Sequence, residues 1–124
     1  MTTTMSLSFI LSEIGSAMDA LLELGLKKAE ALSSRDISGL EALIAREQDL
    51  VRHLAALEVE REKHREESGP ETERHRLSLK DKAQRIVKIN ERNRGLLRRG
   101  LDLVQYELKL FFQEGKPLVF DHRI

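Results

Sequence analysis

The chain has 124 residues, 34% of them charged and 4% aromatic, with no Trp, no Cys and zero formal net charge. One domain is the length expectation. Leu-rich apolar content in so charged a chain suits elongated helices sharing a narrow seam better than a globule with a thick core. Without Cys there is no disulfide and no thiolate metal site. The first residues lack a basic stretch, and their apolar run is broken at Glu13. Neither a signal peptide nor stable membrane insertion is expected, which makes a soluble cytoplasmic protein the default.

Heptad spacing sets in early. Leu7, Leu11, Ile14, Met18 and Leu21 alternate by four and three, and Leu32 resumes the row past Gly25 and Lys28. Helix one and its turn are expected over 1–35, ending at a polar stretch from which Asp36 or Ser38 can cap the next helix. Helix two is expected over 36–69, with its seam at Leu40, Leu43, Leu50, Leu54 and Leu57 and with Ile44 and Val51 beside it. Gly69-Pro70 is the strongest helix breaker in the chain and marks the second turn.

Helix three is expected over 70–114. Its seam runs Leu79, Ala83, Ile86, Asn90, Asn93, Leu97, Leu101, Val104, Leu108 and Phe111. A second stripe, Ile89, Leu96, Leu103 and Leu110, repeats every seven residues beside it. Gly95 and Gly100 lie inside this run, and each costs about 1 kcal/mol relative to Ala. Gly115 and Pro117 end the helix, leaving 115–124 as a flexible tail. The fold class expected is therefore all-α, three long helices in an antiparallel coiled-coil or helical-bundle arrangement.

Charge is unevenly spread. Acidic residues outnumber basic ones between Glu41 and Glu73, whereas ten basic residues between Arg74 and Arg99 face only Asp81 and Glu91. Short connections make consecutive helices antiparallel, so the acidic second helix is expected beside the basic half of the third, with ion pairs flanking the seam. A nucleic-acid surface is disfavoured, because no aromatic lies between Ile10 and Tyr106 to stack a base.

That registration leaves helix three uncovered beyond about Leu101. The uncovered part carries Leu101, Leu103, Val104, Tyr106, Leu108, Leu110, Phe111 and Phe112, apolar nearly all round. A helix of this kind seeks a partner. Three readings stand: it folds back onto its bundle, it pairs with a second copy as a homodimer, or it binds a client helix.

Chemistry-bearing patterns are missing. His53, His64, His75 and His122 form no pair at ligand spacing on one helical face and read as solvated surface groups. There is no Gly-rich phosphate loop, and no Ser is paired with a base. No catalytic residue, metal site or cofactor is assigned. Asn90 and Asn93 are the polar interruption of the third seam, either buried and setting register or lying on its flank in solvent.

Two blocks carry a family likeness. Arg46 to Glu58, ending in Arg61, and above all Ile89-Asn90-Glu91-Arg92-Asn93-Arg94-Gly95-Leu96-Leu97 leading into an apolar helix resemble the FlgN-type flagellar export chaperones. The second block is similar to the family's Asn-x-x-Asn-x-x-Leu-Leu signature. The resemblance implies a cytoplasmic, ATP-independent chaperone of flagellar type III export, not an enzyme. Such a chaperone holds the C-terminal helical segments of the hook–filament junction proteins and delivers them to the membrane export gate. It places the client surface on Leu97 to Phe112 and makes Asn90, Asn93 and Leu96 family-motif positions. Pro117-Leu118-Val119-Phe120-Asp121 resembles the family's Pro-x-x-Tyr-Gly element, with Phe120 standing where Tyr would contact the gate. A filament-cap or flagellin chaperone, or a structural homodimeric coiled coil, is the alternative.

Overall fold

A computed structural model describes the backbone of residues 5–113 and the side chains of residues 5–110. Within them the chain forms three α-helices, α1 (Leu7–Ser34), α2 (Ile37–Glu62) and α3 (Pro70–Gln113), and no strand.

Each helix boundary has a local cause. Ser6 caps α1 by accepting the Phe9 N–H at 3.2 Å. At the other end Arg35 adopts the left-handed conformation (φ 57°), and Asp36 N–H returns to Ala31 O at 2.9 Å. This is a Schellman-type stop built on a residue other than glycine. Asp36 then caps α2 by accepting the Gly39 N–H at 2.9 Å, as its position in the polar stretch suggests. Helix α2 stops at Glu62, short of the expected 69. Tightened turns such as His64 N–H to Arg61 O at 2.9 Å consume the carbonyls that would have propagated it. Pro70 opens α3 at the first helical position, where its missing N–H costs nothing, and Glu71 and Glu73 face the positive end of the helix dipole.

Helix α1 is the centre of the molecule. It packs against both α2 and α3, whereas the backbones of α2 and α3 do not closely approach one another. The densest packing lies at one end, where Ile10 and Ile14 are fully buried and join Leu7, Leu11, Leu57 and Leu79. Ser8 to Glu71, Asp19 to Lys82 and Gly25 to Asn93 are hydrogen-bonded pairs separated by 63, 63 and 68 residues. Numbers rise together along the two helices, so α1 and α3 run parallel and α2 returns between their ends.

The expected charge pairing between α2 and α3 is not what forms. Among the described residues no ion pair joins these helices. The acidic groups of α2 are taken up one turn away, by Asp49–Arg52, Glu58–Arg61, Glu60–Lys63 and Glu62–Arg65. Glu47 reaches instead to Lys28 of α1, at 2.7 Å. Local partners at three or four residues cost less ordering than a neighbour across a gap.

Candidate docking surface

The α1–α3 pairing fixes where the bundle ends. A register of 63 to 68 residues sets Ser34, the last residue of α1, level with α3 residues 97–102. Beyond that level α3 continues to Gln113, roughly 20 Å at about 1.5 Å per residue. The projecting helix is apolar and uncovered. Leu97, Leu101, Leu103, Val104, Tyr106 and Leu110 are all exposed, with Leu101 at 57% and Tyr106 at 59%, while Leu108 is half-buried. The side chains of Phe111 and Phe112, and the whole of Phe120, lie outside the described residues.

The two signature asparagines part ways. Asn93 is buried, and its Nδ2 donates to the Gly25 carbonyl at 3.0 Å. Asn90, three residues earlier, is exposed. One turn before Asn93, Ile89 sits so close to Gly25 that a Cβ built there would fall inside its Cγ2. Gly25 is thus a point of close approach of α1 and α3, with Ile89 and Asn93 both packed on it. Leu96, on the second stripe, is half-buried. Asn93 Oδ1 has no hydrogen-bond donor although it is buried.

Because α2 and α3 stay apart, a cleft of about 450 Å³ opens between them with α1 as its floor. Leu21, Lys28 and Leu32 form that floor. Leu40, Ile44, Glu47 and Val51 of α2 form one wall, and Ile86, Asn90, Asn93, Arg94 and Leu97 of α3 form the other. Ile44, Val51 and Leu97 are exposed within it. Ile86, Asn90 and Leu97 continue along α3 as Leu101, Val104 and Leu108, all within one helical face by the 3.6-residue repeat. The cleft and the projecting stripe are therefore one apolar track. The second stripe of α2, Ile44 and Val51, was the sequence signal for this cleft. It had no partner in the seam.

Electrostatics of the track follow from the missing α2–α3 pairing. Lys80, Lys88, Arg92, Arg94, Arg98 and Arg99 make no ion pair among the described residues. The same helix pairs Arg76 with Glu73, Arg85 with Asp81 and Lys82 with Asp19.

A smaller cleft of about 210 Å³ lies at the opposite end, near the turn into α3. His64 lines it beside Glu67, its side chain only 14% exposed. The expectation that His64 is simply solvated is therefore corrected: the turn covers most of its ring and pairs its Nδ1 with Glu67. His53 is exposed as expected. No helix is long and apolar enough to cross a membrane, among the described residues.

A small bundle that leaves an apolar helix end and an open apolar cleft uncovered belongs to the class of helical protein-binding modules. The family model described as FlgN protein matches residues 1–120, and the chain belongs to that family of flagellar export chaperones. No curated protein and no solved structure matches it.

Proposed function

We propose that the protein is a cytoplasmic chaperone for the hook–filament junction proteins, holding their C-terminal helical segments and carrying them to the type III export gate. The observation that supports this reading is the apolar helix Leu97–Leu110, exposed beyond the end of α1. Its exposed apolar side chains recur at helical spacing, which suits an amphipathic helix laid along it. Segments built for coiled-coil assembly in the filament would self-associate early, and masking removes apolar area worth about 25 cal/mol per Å² from water. Part of that gain is offset by ordering both partners, which keeps the complex reversible and suits release by hand-off without nucleotide. Phe120 is the proposed gate contact, on the resemblance of its segment to the family's Pro-x-x-Tyr-Gly element.

Co-purification with each junction protein tests the reading. Deleting residues 101–124 abolishes capture while the circular dichroism of the remaining helices persists. Capture that survives the deletion contradicts the site. A tight dimer that captures nothing, and that dissociates on Leu108→Asp, establishes the structural coiled coil in its place.

A further inference from the structure

We propose that the cleft between α2 and α3 receives a second stretch of the client helix, one with an acidic flank, so that the client completes a local four-helix bundle before running out along the projecting end of α3. This inference rests on the proposed function and extends its site toward the body of the molecule.

Three observations converge on the cleft. First, its α3 wall is the same helical face as the projecting stripe, so a straight helix bound to Leu101 and Val104 is led into the cleft at Leu97. Its α3 wall spans Ile86 to Leu97, about three helical turns at roughly 1.5 Å per residue. That is room for several apolar side chains of an incoming helix against Leu40, Ile44 and Val51. Secondly, Asn93 lines the cleft and is buried, yet its Oδ1 lacks a donor. A buried acceptor left unpaired is costly. A hydroxyl, amide or ammonium group on the incoming helix would satisfy it after a small shift of the side chains that cover it.

Thirdly, charge selects the occupant. Arg94 lines the cleft, and Arg98 follows it one turn further along α3; neither has an ion-pair partner among the described residues. The carboxylate in the cleft, Glu47, is already engaged by Lys28. The cleft therefore offers unneutralised positive charge to a helix carrying Asp or Glu beside its apolar stripe. A second copy fits poorly. Its own α3 is basic over the same stretch, and the acidic groups of its α2 are largely held in local pairs. Nucleic acid fits poorly as well, because the lining is aliphatic with no aromatic to stack on a base.

Photo-crosslinking with the full-length protein decides the matter. A photoreactive amino acid replaces Val51 in the cleft or Val104 on the projecting helix, both exposed positions whose substitution leaves the core intact. The probe is a purified C-terminal segment of a junction protein. The expected result is cross-linking from both positions. Val51→Asp should weaken binding about tenfold or more, since a carboxylate would meet an apolar helix face. Arg94→Glu with Arg98→Glu should weaken it and flatten its salt dependence. Cross-linking from position 104 alone, with Val51→Asp neutral, overturns the inference and leaves the proposed function standing. Cross-linking from neither position, with no capture, overturns both. A cross-link from 51 to a second copy or to residues after Gln113, undisturbed by the probe, overturns the choice of occupant. Retention of duplex DNA at physiological salt, lost in the Arg94→Glu/Arg98→Glu variant, overturns it too.

Discussion

Asn93 of α3 donates its Nδ2 hydrogen to the main-chain carbonyl of Gly25 in α1, at 3.0 Å and in a buried setting. The carbonyl belongs to the interior of a helix, so the asparagine uses its second lone pair and disturbs no backbone bond. The bond sets the register of two parallel helices and hence the level at which α3 leaves the bundle.

Asn93→Asp turns a donor into an acceptor facing that carbonyl and buries a charge. Loss of the bond, with an unpaired group left behind, should cost about 2 kcal/mol, read as a lower midpoint in urea unfolding. Asn90→Asp, at an exposed position, should be nearly neutral in the same assay. Equal effects at the two positions would refute the register role.

Two glycines of the same chain should respond to alanine with opposite signs. Gly25→Ala drives a methyl into Ile89, and overpacking of this kind costs about 1–3 kcal/mol; Ile89→Ala in the same chain should recover part of it. Gly100→Ala meets nothing within 4 Å and should stabilise the helix by about 1 kcal/mol. Amide hydrogen exchange should then show stronger protection around residues 96–104.

Arg35 is the only non-glycine residue with positive φ among those described. The left-handed region costs an L side chain roughly 1–2 kcal/mol, and glycine occupies this helix-stop position at no steric cost. Arg35→Gly should therefore raise the melting temperature slightly, against the usual effect of introducing glycine. A fall in melting temperature would show that the arginine side chain supports the turn in some other way.

Among the described residues the Lys28–Glu47 pair is the one ion pair joining α1 to α2, with side chains 14% and 27% exposed. Glu47→Gln removes the charge partner of a half-buried ammonium and should cost about 1 kcal/mol. Lys28→Met with Glu47→Leu should cost less than the single change, because no group is left unpaired. A double variant as unstable as the sum of its parts would show that the pair contributes little coupling.

Much of this was legible in the residues. The heptad rows marked three helices, the polar stretch offered Asp36 or Ser38 as the second cap, and Gly69-Pro70 marked the break before α3, since each is a local preference acting over a few residues. The projecting end of α3 was legible too, because a stripe that outruns its neighbours can be counted. What failed was the choice of neighbour. Opposite blocks of charge suggested α2 against α3, but those acidic groups close local pairs such as Glu58–Arg61, and α1 separates the two helices. Burial of Asn93 but not Asn90 was equally hidden. It depends on the close approach at Gly25, a contact between residues 68 positions apart. The cleft was hidden for the same reason, since α2 placed against α3 leaves no room for one.

The central claim is that the exposed apolar face of α3 beyond Leu97 holds a junction-protein helix. Isothermal titration of the C-terminal segment of a junction protein into the protein and into its Leu101→Asp/Val104→Asp variant tests it most directly. Both residues are exposed, so the variant should keep its helicity and thermal midpoint. Binding to the unaltered protein should show the negative heat-capacity change of apolar burial, and the variant should lose at least about a hundredfold in affinity, two steps of roughly 1.4 kcal/mol each. Equal affinity of the two proteins for the segment would contradict the claim.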